Sequence, residues 1–124
     1  MVHDSDGQIA WYWESNERFE DPFPGPVIQR SDYSLVAVVH SVGLVEFSPL
    51  GTVGHKILDS ENGYFHHDLR ELGDGSLLTV ADVAVTMDLS EFGLGEGELV
   101  AVTTIRQINF DTGRDEIIWN ALAY

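Results

Sequence analysis

Apolar residues in this chain occur in short runs, without the three-to-four-residue spacing of an amphipathic helix. The runs are rich in β-branched and aromatic residues and are bounded by glycine, proline and aspartate, as strands commonly are. Only residues 16–21 and 88–92 have a pattern compatible with a helical turn, and neither segment is long enough for a substantial helix. The pattern therefore predicts an all-β protein.

Two combinations of turn and strand occur more than once. Residues 32–36 (DYSLV) resemble residues 74–78 (DGSLL), and their serines are 42 residues apart. Gly7 and Gly51 each end a polar turn before an apolar strand and are 44 residues apart. Both spacings are typical of the four-stranded blade of a β-propeller. We expect antiparallel four-stranded, blade-like sheets of a partial β-propeller, with a β-sandwich or barrel as the alternative.

The repeats divide a single all-β domain, residues 1–124, into consecutive units. Residues 8–14 are interpreted as the outer strand of a preceding blade, residues 27–58 as a first blade and residues 64–121 as a second blade. The second unit is longer, and its extra length is assigned to an insertion at residues 85–97, which is rich in glycine and glutamate.

The charge of the chain is strongly negative. It has 21 acidic residues against six Lys and Arg, a formal net charge of −15, and Lys56 is its only lysine. Such self-repulsion destabilises a compact state at low ionic strength and is screened by salt, which favours a halophilic source. The alternatives are a surface adapted to a basic partner or to calcium, and no segment has the pattern of a calcium loop.

The composition also excludes several classes. Nucleic-acid binding is disfavoured because the sequence contains no basic stripe. The absence of cysteine excludes disulfides and thiolate metal sites. No apolar run has membrane-spanning length and the start of the chain lacks the regions of a signal peptide, so no membrane association and a cytoplasmic location are expected if the chain is complete.

The candidate chemistry is concentrated in the segment His66-His67-Asp68, directly before a strand expected at residues 68–72. Imidazole titrates near neutrality and serves as acid, base, nucleophile or metal ligand. Adjacent residues of an extended strand point to opposite sides, so both histidines reach one pocket only if the segment is a loop or a bulge. Asp68 is a candidate to orient one ring, and the alternative is one surface histidine and one that packs under a neighbouring aromatic ring.

Three further residues belong to the candidate set. His40 ends the run of residues 36–39 and is placed at the same end of the sheet as His66. Arg70 and Arg106 lie on strands, where an arginine either binds an anion or pairs with a neighbouring acid, and an ion pair is favoured. The histidine spacing is not that of a metal site, so no metal is expected.

The HHD segment, together with the turn and strand that follow it at residues 72–78, resembles a blade of the arylsulfotransferase family. Residues 106–113 (RQINFDTG) followed by 117–119 (IIW) resemble the end of such a blade, and residues 7–11 (GQIAW) the end of a preceding one. The resemblance spans nearly the whole chain, and its most specific part is the HHD segment.

The resemblance implies a six-bladed β-propeller that moves a sulfuryl group from an aryl sulfate to a phenol, with no nucleotide sulfate donor and no cofactor. The family uses a transient sulfated histidine and a pocket assembled from several blades. His66 and His67 match a pocket position and are predicted as catalytic residues, with Arg70, Asp68 and His40 as the substrate-binding set. The sulfated histidine of the family lies on a blade to which no segment here corresponds.

Two blades alone leave unpaired flanks, since a repeat unit cannot bury its faces by itself. We therefore expect a homo-oligomer that completes the propeller. The alternatives are a non-catalytic halophilic β-domain that binds a ligand or a protein, and an inactive truncated product.

Overall fold

A computed structural model describes residues 2–3, 5–11, 24–39, 42–58 and 63–123. The expected all-β fold is confirmed, because strands form nearly all of its regular structure. The strands are β1 (Val2–His3), β2 (Ile9–Trp11), β3 (Pro24–Gln29), β4 (Leu35–Val39), β5 (Gly43–Phe47), β6 (Val53–Leu58), β7 (Tyr64–Glu71), β8 (Leu77–Met87), β9 (Glu98–Asn109) and β10 (Arg114–Asn120). A single 3-10 turn at Ser90–Phe92 is the helical element of the described residues, and no helix there is long and apolar enough to cross a membrane.

The strands form two four-stranded antiparallel sheets, each of which is a meander. Strands β3 to β6 pair in chain order in the first sheet, and strands β7 to β10 pair in chain order in the second. A separate pair is formed by β1 and β2. Each large sheet therefore has the blade-like form that the sequence predicts, because antiparallel neighbours are joined by short turns.

The β8–β9 hairpin extends beyond the rest of the second sheet. These two strands pair from Leu77 with Ile108 to Met87 with Glu98. Pairing with β7 begins only at Asp82, and pairing with β10 ends at Thr104. Residues 83–87 and 98–102 thus form a two-stranded arm, which contains part of the glutamate- and glycine-rich segment 85–97.

The main core lies between the two sheets and draws on both. Its fully or nearly fully buried members are Val36, Val38, Leu44, Phe65, Leu69, Leu77, Ala81 and Ile108. A second buried cluster consists of side chains on the opposite faces of β4 and β5, together with Val42 of the turn between them. Its members are Ala37, Val39, Val42, Val45 and Phe47. The run LVAVV in β4 is continuously apolar because both of its faces are buried, whereas β8 alternates.

Three turns share one hydrogen-bonding pattern. In residues 30–34, 48–52 and 72–76, the first N–H donates to the fifth carbonyl and the fourth N–H donates to the first carbonyl. The fourth residue has positive φ in each case: Tyr33 at 70°, Gly51 at 80° and Gly75 at 78°. The similar segments 32–36 and 74–78 therefore begin in turns of the same conformation, and in both the aspartate accepts hydrogen bonds from the serine N–H and Oγ.

Of these three residues, Tyr33 is the only one that is not glycine, so it carries a Cβ in the left-handed region. Its side chain is 70% exposed. We expect Tyr33→Gly to raise the free energy of unfolding by about 0.5–1 kcal/mol, because the strain of a Cβ outweighs the added flexibility of glycine. The reverse change, Gly75→Ala, should lower it by about 1 kcal/mol. Urea denaturation followed by circular dichroism measures both, and a loss of stability in Tyr33→Gly would contradict the strain argument.

A buried ionic network joins the two sheets at Arg30. Its guanidinium forms an ion pair with Glu46 of β5 through Nη1, lies 3.4 Å from Glu71 Oε1 of β7 through Nε, and donates from Nη2 to the Gly75 carbonyl at 3.0 Å. Burial raises the pKa of Glu46, but hydrogen bonds from His55, Arg30 and Ser34 lower it further, so that the pKa lies below its ordinary value. The guanidinium of Arg30 thus has acceptors from both sheets for its N–H groups.

Candidate functional site

The HHD segment lies inside strand β7, at a bulge, and not directly before a strand as the sequence suggested. His66 pairs with Val80 and Leu69 pairs with Thr79, so residues 67 and 68 have no counterpart on β8. His67 has φ of 61°, a left-handed conformation that is uncommon for a residue with a side chain. The bulge is the geometry that allows adjacent histidines to lie close together.

His66 is largely buried on the face of the second sheet that points away from the first sheet. Its side chain is 14% exposed, and its Nε2 lies 3.1 Å from Oδ1 of Asp82 on β8. Neither ring nitrogen makes a fully aligned hydrogen bond with another described residue, and both nitrogen atoms are inaccessible to solvent. His66 is thus held close to a carboxylate with its hydrogen-bonding capacity incompletely used.

Asp82 is fixed from a third strand. Thr103 of β9 donates a hydrogen bond from Oγ1 to Oδ1 of Asp82 at 2.8 Å. Burial raises the pKa of Asp82, but the hydrogen bond from Thr103 and the close approach of the His66 ring lower it more, so that the pKa lies below its ordinary value. Asp82 is therefore a carboxylate at neutral pH, facing His66.

His67 is the exposed member of the pair. Its ring stands edge-on to that of His66, with centroids 4.6 Å apart and planes at 89°. On the other side of His66 along the strand, the Tyr64 ring lies 6.0 Å away. A ligand that approaches the bulge from solvent meets His67, with His66 and Asp82 behind it.

The remaining predicted residues differ in position. Asp68 is exposed and its Oδ1 accepts a hydrogen bond from the Leu69 N–H at 2.9 Å; the carboxylate near the His66 ring is that of Asp82. Arg70 is exposed and has no ion-pair partner among the described residues. It pairs with Leu78, two residues from Val80 on β8, and so lies on the same face of the sheet as His66, beyond the shift in register at the bulge. His40 lies outside the described residues.

Arg106 lies on the opposite face, between the sheets. It donates from Nε and Nη2 to the two carboxylate oxygens of Asp115, at 2.9 and 2.5 Å, and its guanidinium carbon lies 5.5 Å from the centre of the Phe65 ring. The ion pair favoured from the sequence is confirmed. Arg106 is therefore buried and paired with an acid. Of the two arginines singled out from the sequence, only Arg70 is exposed.

The sequence interpretation missed Asp82 and Thr103. Asp82 is the only charged residue of β8, in the run LLTVADVAVTM. A single acid in an apolar strand needs hydrogen-bonding partners, and this signal was available. The sequence contains no comparable signal for Thr103, because its position opposite Asp82 depends on the register of β8 with β9.

The described residues contain no group of three or more histidine, cysteine, aspartate or glutamate side chains arranged to hold a metal ion. The arrangement is suited to proton transfer and anion binding, because an exposed imidazole lies beside a largely buried imidazole and a half-buried carboxylate.

Comparison with known proteins gives a family match that covers almost the whole chain. The family model described as Arylsulfotransferase (ASST) matches residues 1–120, a span that includes both sheets and the HHD bulge. Neither the curated proteins nor the solved structures contain a match. Because the family match extends over nearly all 124 residues, the chain belongs to the arylsulfotransferase family.

Proposed function

We propose that this chain contributes His66 and His67 to a pocket in which a sulfuryl group passes from an aryl sulfate to a phenol, without a nucleotide donor. The observation that carries the proposal is the strained bulge of β7, which presents His67 to solvent above His66 and Asp82. Backbone strain of this kind concentrates at functional sites. The family match over residues 1–120 gives the class of reaction.

In this proposal His67 handles the proton of the aryl oxygen. When the bond between sulfur and the donor oxygen breaks, the departing aryloxide takes a proton from the imidazolium. When the acceptor phenol attacks sulfur, its hydroxyl proton returns to the imidazole as the new sulfur–oxygen bond forms. The sulfuryl group is carried between these steps by the histidine that the family places on another blade.

Charge governs the binding part of the proposal. An aryl sulfate is an anion, and the chain has a formal net charge of −15, so the site needs local positive charge. Protonated imidazole and the exposed guanidinium of Arg70 supply it, and Asp68 and His40 complete the proposed binding set on the grounds of sequence. The same excess of acids supports a high-salt source, where repulsion is screened.

The pocket also needs groups from further blades. We propose that copies of this chain associate so that the bulge of one copy faces side chains of another, since the described residues offer two blade-like sheets. A monodisperse monomer by light scattering in concentrated salt would contradict association.

The test is turnover of a chromogenic aryl sulfate with a phenol acceptor in concentrated salt, where the acidic surface is screened. We expect His67→Ala and His67→Gly to lower kcat/KM at least about 100-fold, the contribution of a positioned acid–base group. His67→Gly is the informative variant, since glycine keeps the left-handed backbone of the bulge and removes only the ring. His66→Ala should give a loss of similar size.

His55→Gln is the matched control, because His55 is a half-exposed histidine of β6, outside the bulge, and glutamine retains a hydrogen-bond donor. His55 lies 2.6 Å from Glu46 of the Arg30 network, a contact that glutamine can keep, and it is on the other sheet from the bulge. The variant should therefore retain activity within about twofold. Equal turnover in the wild type and in both His67 variants would remove His67 from the mechanism. No turnover by the wild type would favour the non-catalytic β-domain.

A further inference from the structure

The carboxylate next to His66 comes from the neighbouring strand and not from the HHD segment itself. We propose that Asp82 is a positioning residue that holds Nε2 of His66 as a protonated nitrogen, and that Thr103 in turn holds Asp82. The catalytic meaning of this arrangement rests on the proposed function, whereas the arrangement itself does not.

The first step of the argument is the position of Asp82. It is the single charged residue of β8, and its side chain is 33% exposed. A half-buried carboxylate requires hydrogen bonds, and the two groups that approach Oδ1 are Thr103 Oγ1 at 2.8 Å and His66 Nε2 at 3.1 Å. The bulge of one strand and the register of the next two bring these three side chains together.

The second step concerns the ring of His66. A carboxylate only accepts hydrogen bonds, so its place opposite Nε2 favours a hydrogen on that nitrogen. Nδ1 then carries the lone pair in the neutral ring, and it is buried without a partner in the described part of the chain. Hydrogen bonds of catalytic groups are often poorly aligned without substrate and tighten in the complex, which accounts for the imperfect alignment at 3.1 Å.

The third step is the relation of this pair to His67. The titratable groups that face His66 are Asp82 from β8, and His67 and Tyr64 from its own strand. Of these, Asp82 alone is an anion at neutral pH, so it determines the orientation and protonated edge of the ring that lies against His67. Asp82 acts through His66, and it does not itself touch the substrate.

The test is spectroscopic and uses the full chain labelled with ¹⁵N-histidine. We expect a slowly exchanging imidazole N–H proton, shifted downfield by the carboxylate and attached to Nε2 of His66, and assigned by its loss in His66→Ala. It should disappear in Asp82→Ala, broaden in Thr103→Val and return in Thr103→Ser. Asp111→Asn, which removes the same charge from an exposed turn, should leave it unchanged.

The carboxyl group gives a second measurement on folded protein. By ¹³C detection, the pKa of Asp82 should lie below its ordinary value in the wild type and move upward in both Thr103→Val and His66→Ala, because each removes an interaction that lowers it. Circular dichroism confirms that each variant is folded. An N–H signal on Nδ1, or one that persists in Asp82→Ala, would overturn the proposal.

Activity distinguishes this proposal from the proposed function. In an active wild type, Asp82→Asn should lower kcat about tenfold or more with little change in KM, and should add little to the loss in His66→Ala, since the two residues act as a unit. An inactive wild type with the N–H signal present rejects sulfuryl transfer and retains the positioning role. If the wild type is active, the His66 and His67 variants lose activity and the N–H signal is absent, sulfuryl transfer is retained and the positioning role of Asp82 is rejected.

Discussion

Arg30→Ala is expected to lower the free energy of unfolding by about 3–5 kcal/mol, the cost of leaving a buried charge without its partner. The side chain of Arg30 is 8% exposed and that of Glu46 is 10% exposed, so water replaces little of the lost interaction. The change also removes the contacts of Arg30 with Glu71 of β7 and with the Gly75 carbonyl in the turn between β7 and β8. Because a small domain has only about 5–15 kcal/mol of stability, this loss is a large fraction of the total.

Urea denaturation in concentrated salt measures this effect. Arg30→Lys should recover only part of the loss, because an ammonium group cannot reproduce the planar fork that reaches Glu46, Glu71 and Gly75 together. The double variant Arg30→Met/Glu46→Leu should be more stable than Arg30→Ala, since it leaves no unpaired charge from this pair.

Arg114→Ala is the matched control for Arg30. Arg114 pairs with Glu116 at 2.6 Å, but both side chains are about half exposed. Its loss should therefore cost much less than the loss of Arg30, because water replaces most of an exposed ion pair. Equal effects of the Arg30 and Arg114 substitutions would show that the network between the sheets contributes no more than a surface ion pair.

Phe65→Ala should cost about 3–5 kcal/mol, because Phe65 is fully buried between the sheets and its truncation leaves a cavity. The ring also lies 5.5 Å from the guanidinium of Arg106, an attraction that alanine removes. Phe65→Leu, which retains most of the volume, should cost no more than about 1.5 kcal/mol.

The control for Phe65 is Phe92→Ala, near the tip of the β8–β9 arm, where the side chain is 79% exposed. It should change the free energy of unfolding by less than about 0.5 kcal/mol. The experiment is denaturant unfolding followed by tryptophan fluorescence and circular dichroism together. A loss below about 1 kcal/mol in Phe65→Ala would mean that the two sheets do not share one core.

The sequence was sufficient for the fold because its signals are local. The continuous apolar run of residues 35–39 is one such signal, and it follows from the burial of both faces of β4. The two Asp-x-Ser turns were recognisable because the aspartate and serine bond within the turn itself, over two residues.

The candidate site was only half predictable, because its contacts run between strands. The adjacency of His66 and His67 is visible in the sequence, and the need for a bulge followed from it. The approach of the His66 side chain to Asp82 depends on the register of β7 with β8. That register shifts by two residues at the bulge, where His67 has positive φ. Asp68 seemed the natural partner because it is the neighbour in sequence, whereas its carboxylate bonds to the next backbone N–H.

Because the bulge of β7 contains two extra residues, a change in the bulge does not alter which side chains of β7 face the core. Phe65 lies opposite Ala81 and Leu69 lies opposite Thr79, so the strand loses two residues of pairing and resumes with its inward and outward positions unchanged. An excursion of one residue would reverse every side chain beyond it, whereas one of two residues leaves the core side chains where they were. His67 and Asp68 can therefore be substituted, or removed as a pair, without redistributing the apolar residues of β7, and a lineage of such chains is free to change its chemistry here while it keeps its architecture.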